Sequence, residues 1–364
     1  MGDKNAFFVG HRRRLPHVVF ALMVFIALSS LKAPSPAGGC VDCSDLPATE
    51  KKELRGLDES RHKKNESKHQ CNFLMGHGAQ HQARPQLLSQ GAQDVVLEEI
   101  FQHIGETNKE AVEFGFGYSK GAYLTMDDLM QNNRISSGLN IHRLVQKGFK
   151  PTFFDALIEN PKINLRKAVL TQDNIVQEFE KAGISKDADF ISIDVDSVDI
   201  WLLHAMLKGG YKPRVVSVEY NSNFEVDQLI ACEPKWAPWK QDGTVFGASA
   251  GAINYVAKQF GYVPVAVVTL LDVFLVREDI LRDTCDNFDE LPSFETLAKE
   301  SLMGMPHHRF CRLDRDASRL VDVPLFLEGK EEESRKKAQE AVDHLNQARK
   351  ARGQRAFCDQ TTSY

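Results

Sequence analysis

The sequence predicts an α/β protein: a Rossmann-like, mostly parallel sheet with helices on both faces, finished by an antiparallel hairpin. Three observations predict it. Short apolar runs alternate with segments of helical period between residues 111 and 260, as successive βαβ units do. Gly148, Gly183 and Gly209-Gly210 close the helical segments, where a left-handed residue ends a helix most cheaply. Residues 263–270 and 273–277 are apolar runs joined only through Leu271 and Asp272, which forces them to pair antiparallel.

Taken in order, residues 95–104 carry apolar side chains at helical spacing, and residues 111–117 form a strand running into a glycine turn. A helix at 141–147 leads to a strand at 151–155, and 165–170 is a further strand. The alternation continues with helix 174–181, strand 190–194, helix 198–208 and strand 214–220. Residues 247–260 read as a helix rich in small side chains, before the closing hairpin. Beyond Pro324 the charge-laced run 330–352 reads as a solvated helical tail, with a partner-binding helix as the alternative.

Composition sets outer limits on function. The 364 residues are 42% hydrophobic and 26% charged, with a formal net charge of −5. A mildly acidic chain lacks the basic excess that phosphate contacts along a duplex require, so no nucleic-acid partner is expected. Near the amino terminus Arg12, Arg13 and Arg14 precede an apolar run at 18–28, then small and proline-rich residues up to Cys40. That order is a secretory signal. The uncharged window 15–31 also approaches the length of a membrane span, so residues 1–37 are a cleaved signal peptide or a signal anchor. Either way the body lies in the ER or Golgi lumen or outside the cell. Residues 38–92 are a polar stem, 93–325 the α/β domain and 326–364 the charged tail. Asn65-Glu66-Ser67 is an acceptor triplet for N-glycosylation within the stem.

In an oxidising compartment the seven cysteines are disulfide candidates with no deducible connectivity. Cys40-Val-Asp-Cys43 could form a redox pair or half a zinc site, but no second Cys-x-x-Cys follows. His69, His77 and His81 stand near Cys71 without the usual zinc spacing. A structural or incidental role is the simpler reading.

Chemistry is concentrated at strand ends. Glu113-Phe-Gly115-Phe-Gly117 puts glycines where the backbone can approach a ligand, and Glu113 is a carboxylate inside an apolar strand that needs a partner. A plain tight turn is the competing account of the glycines. Phe190-Ile-Ser-Ile-Asp194-Val-Asp196-Ser-Val-Asp199 ends a strand in acids, and Glu219-Tyr220-Asn221 ends the next. Asp196 and Asp199 fit an N-cap and capping-box pair. Asp194, Glu219 and Asn221 would then flank one crevice, with Tyr220 directed to the opposite face.

The order of these motifs resembles the FkbM-type methyltransferase-like family of Rossmann-like S-adenosylmethionine-dependent enzymes. The likeness spans residues 95–281 and rests on Val112-Glu-Phe-Gly-Phe-Gly, the Phe190 to Trp201 run and Pro213-Arg-Val-Val-Ser-Val-Glu-Tyr-Asn. The resemblance implies S-adenosyl-L-methionine as cofactor, with Glu113, Gly115 and Gly117 along its methionine and ribose. It implies ribose hydroxyls on Asp155, and Asp194 facing the substrate side near the sulfonium. Asp194, Glu219 and Asn221 would be the catalytic set, acting on a small-molecule or glycan acceptor, with no metal. On that reading Gly115→Arg abolishes cofactor binding and spares the fold. A glycosyltransferase using Asp194-Val-Asp196 with a divalent ion is the rival enzyme. A non-catalytic luminal adaptor is the third reading.

Overall fold

The computed structural model describes residues 68–73, 88–116, 121–131, 138–235, 245–300 and 317–353. The predicted signal, most of the predicted stem, Asn65, Gly117, His77, His81, Cys40, Cys43, Cys311 and Cys358 lie outside the described residues. In chain order the elements are α1 (Gln93–Ile104), β1 (Glu110–Phe114), α2 (Met126–Gln131), α3 (His142–Gln146), β2 (Lys150–Asp155) and β3 (Leu165–Lys167). Then come α4 (Ile175–Ala182), β4 (Phe190–Ile193), α5 (Asp199–Lys208), β5 (Val215–Glu219), β6 (Ile230–Cys232) and α6 (Ala250–Gln259). The last are β7 (Tyr262–Val267), β8 (Asp272–Arg277), α7 (Glu278–Thr284), α8 (Phe294–Glu300), β9 (Leu320–Asp322), α9 (Val323–Leu327) and α10 (Glu331–Ala351).

Among the described residues, seven strands form one sheet in the order β3-β2-β1-β4-β5-β8-β7. The pairs from β3 to β5 are parallel, while β8 runs antiparallel to both β5 and β7. This is the Rossmann-like sheet with the hairpin that the sequence predicts. Tertiary burial explains the central strands: β1 and β4 are apolar on both sides because helices cover both faces.

Two apolar clusters fill the two layers. Val112, Phe114, Ile191, Ile193, Val216 and Val218 pack with α4, α5, α6 and α8. Ala111, Phe153, Phe190, Val215, Phe274 and Val276 pack with α1, α2, α3 and α7 on the other face. Helix ends follow their residues. Gly183 closes α4 at φ 72°, and the Ser249 side chain caps α6 by accepting from the Ala252 amide at 3.1 Å.

Two features depart from the expectations. First, β6 and β9 make a small antiparallel ribbon outside the main sheet. Second, α10 is not a solvated tail. Its Ala338, Val342 and Leu345 are buried with Phe224, Ile230, Cys232, Val245 and Leu320, so one stripe of the charged helix belongs to the core. Among the described residues no helix is long and apolar enough to cross a membrane.

One covalent tie holds the start of the described chain. Cys71 and Cys285 form a disulfide, and the side chain of Asn287 bonds both the amide and the carbonyl of Cys71 (2.8 and 3.0 Å). His69 and His103 flank Cys71, but a disulfide sulfur has no thiolate to give a zinc ion.

Candidate functional site

The sheet order reverses between β1 and β4, and in open α/β sheets the ligand crevice lies outside the carboxyl ends of the strands at that point. Register decides what stands there. The pairs Glu113↔Ser192, Ser192↔Ser217 and Ser217↔Phe274 form one row across the sheet. The next outward row on the same face is Asp155 on β2, Gly115 after β1, Asp194 after β4, Glu219 on β5 and Asp272 on β8. Glu219↔Asp272 is a register pair, and the others continue the registers of β1 with β2, β1 with β4, and β4 with β5. Neighbouring strands stand about 4.8 Å apart, so four carboxylates share one line across the crevice, with a glycine in the gap.

Gly115 is the point of closest approach. It has φ 70°, and a Cβ built on it would lie closer than 3.0 Å to the carbonyl oxygen of Asp194. Only glycine lets the turn after β1 lie against the end of β4. This corrects the expectation that Gly115→Arg spares the fold, because any side chain must first force the two strand ends apart.

Glu113 lies one row inward and is buried. Its two carboxylate oxygens accept from the amides of Asn140 (3.0 Å) and Ile141 (3.1 Å), at the start of α3. That supplies the partner a carboxylate in an apolar strand requires. Burial pushes its pKa up to about 8, opposed by those two amides and helped by the charges of Asp194 and Asp272. Below it the side chain of Asn140 donates to Ser192, and Ser217 bonds Ser192 at 3.0 Å. Glu113 therefore fixes the floor and the entry to α3.

Asp194, Asp196 and Glu219 each offer a carboxylate oxygen, and the three lie within 4.8 Å of one another. The loop between them differs from the predicted cap. The N-cap position of α5 is Val198, with no side-chain cap, and Asp196 is left-handed at φ 58°. Instead the fully buried Asp199 reaches back and accepts from the amides of Val195 (2.7 Å) and Ser197 (2.9 Å). Burial raises the Asp199 pKa, with the charges of Asp194 and Asp196 adding to it. Asp199 is thus the brace that curls Asp196 back towards Asp194.

Asp155 ends β2, and its Oδ1 accepts from the amides of Leu157 and Ile158 (2.6 and 3.0 Å), fixing the turn that borders the crevice. Asn221 is buried with its side chain engaged: Nδ2 donates to the Phe246 carbonyl at 3.0 Å, and Oδ1 accepts from Asn223 at 2.9 and 3.0 Å. It shapes the turn after Glu219 and has no exposed edge for chemistry. Tyr220 turns to the opposite layer, as the two-residue period requires.

Asp272 is the site residue that sequence reasoning missed. Because β8 runs backwards, its first residue reaches the edge that the other strands reach with their last. Gln93, at the start of α1, donates to Asp272 Oδ2 at 2.9 Å and ties that helix to the crevice. An acid opening an apolar strand after a tight turn is the signal that could have found it. The chain matches no protein-family model, and no curated protein matches it.

Proposed function

We propose that the chain is an S-adenosylmethionine-dependent methyltransferase-like protein of the secretory pathway, passing a methyl group to an oxygen of a small-molecule or glycan acceptor. The observation that carries this reading is the carboxylate row of Asp155, Asp194, Glu219 and Asp272 on both sides of Gly115. Like charges on adjacent strands repel, and a positively charged ligand relieves that repulsion. S-adenosylmethionine, when bound, supplies a sulfonium cation and an activated methyl group. The donor set fits it: acidic oxygens for cationic and hydroxyl groups, on strand ends that the glycine turn at Gly115 allows to lie together.

The residues have distinct parts in the proposal. Asp155 would accept hydrogen bonds from ribose hydroxyls, and Asp194 would hold the sulfonium side. Glu219 would take the proton from the acceptor hydroxyl, and the cofactor, when bound, would supply the activated methyl group. Glu113 and Asp199 hold the walls, and positioning of this kind supplies much of the rate in a transfer reaction. The buried Cys71–Cys285 disulfide supports the secretory assignment, since such bonds persist in oxidising compartments.

A second reading is favoured by one observation. The 4.8 Å grouping of Asp194, Asp196 and Glu219 has the all-oxygen character that a hard divalent cation takes, as in a metal-dependent glycosyltransferase. An anionic sugar nucleotide would enter this crevice only with such an ion between. Calorimetry on the full chain with S-adenosylmethionine, and separately with nucleotide sugars plus manganese, tests both. Heat with the first supports the proposal. Heat with the second alone replaces it, and heat with neither leaves the adaptor reading.

A further inference from the structure

We propose that Arg349, near the end of the carboxy-terminal helix, is a positioning residue for the crevice, holding the turn at 221–223 so that Glu219 keeps its place beside Asp194. The proposal rests on the crevice being the cofactor site. Arg349 is 1% exposed, at the end of the buried stripe of a helix whose other faces are charged. A buried guanidinium is costly unless its donors are used. Its Nη2 donates to the carbonyl of Asn223 at 2.6 Å.

The grip passes inward through short steps. The amide and side chain of Asn223 both donate to Asn221 Oδ1, while the Asn221 amide donates to the Ala248 carbonyl at 2.7 Å. Asn221 follows Glu219 by two residues, so a shift of this turn moves the end of β5. Two further contacts seat the same loop on α10: Gln228 Nε2 donates to the Ala341 carbonyl at 3.0 Å, and Arg352 pairs with Glu225 at 2.8 Å. The second is largely exposed and contributes little. Arg349 reaches the turn from the buried side, and its position in the last turn of α10 also suits the negative end of the helix dipole.

The test compares full-length wild type, R349M and R349K by thermal melting, amide hydrogen exchange and calorimetry with S-adenosylmethionine. R349M keeps the apolar stem and removes the donors, whereas R349K restores one cationic donor without the fork. In R349M, amides at 221–228 should exchange at least about tenfold faster while those of β4 and β5 stay protected. Affinity should fall about tenfold, and R349K should recover part of both. Unchanged exchange at 221–228, or faster exchange with unchanged affinity, overturns the proposal. If R349M fails to fold, R349K decides alone, with a partial loss of both expected and wild-type values contradictory. If wild type does not bind the cofactor, the site reading falls. Exchange then judges the positioning: selective deprotection supports it, and uniform change or none refutes it.

Discussion

Replacing Gly115 by alanine should cost far more than the same change at another left-handed glycine, because two separate penalties meet there. Gly115 and Gly148 both have positive φ, 70° and 85°, and an alanine in that region costs roughly 1–2 kcal/mol. At Gly148 the added Cβ meets nothing within 4 Å, so that cost is the whole effect. At Gly115 the Cβ would press on the Asp194 carbonyl at less than 3.0 Å. Both neighbours are backbone, so β1 and β4 must separate, and overpacking of this kind adds roughly 1–3 kcal/mol. The expected destabilisation is therefore roughly 2–5 kcal/mol for G115A, or a fall in melting temperature of roughly 5–15 °C. Urea denaturation of wild type, G115A and G148A measures the difference directly. Equal losses in the two variants would refute the close approach of the β1 turn to β4, and with it the shape of the crevice.

Other expectations follow from the same geometry. Glu113 titrates at about 8 in the folded chain against an ordinary 4.5, so its stabilising contribution is complete below about 4.5 and is lost as pH rises through about 8. Over that window the effect is a few kcal/mol, about 1.4 for each pH unit; E113Q should flatten the fall in denaturation midpoint between pH 5 and 8.5, and an unchanged slope would exclude Glu113 as its source. Reducing the Cys71–Cys285 bond, or replacing both cysteines by serine, should lower stability by about 2–5 kcal/mol, read as a lower melting temperature with reductant; no shift would mean the tie adds nothing to the fold. D199N leaves the amides of Val195 and Ser197 sharing one acceptor oxygen, so that loop should lose exchange protection with β4 unaffected, and full protection would contradict its bracing role.

The strands of the main sheet were legible because burial on both faces leaves continuous apolar runs, and glycine ends mark the helices between them. The hairpin was legible from the shortness of its join. The ribbon of β6 and β9 was not, since each strand has three residues, too few for a period to register, and the partners lie far apart in the chain. The docked face of α10 was hidden for another reason. Its buried positions are Ser334, Ala338, Val342, Leu345 and Arg349, a helical stripe in which two of five residues are polar.

The acids divide in the same way. Asp194 and Glu219 end their strands and could be read as pocket residues from position, whereas Asp155 was placed there only by the family resemblance. Asp272 escaped because its strand runs backwards. Asp196 looked like an N-cap because sequence spacing cannot reveal that Asp199 binds back to Val195 and Ser197. Asn221 shared the strand end with Glu219, but its amide is taken up by Phe246 and Asn223.

The central claim is that the row beside Gly115 is a seat for a positively charged cofactor. Calorimetry of the full chain with S-adenosylmethionine and with S-adenosylhomocysteine, its neutral thioether counterpart, at low and high salt tests it most directly. The account predicts that the sulfonium form binds more tightly and that the difference shrinks as salt rises. Equal affinity for the two, or no binding of either, would contradict it.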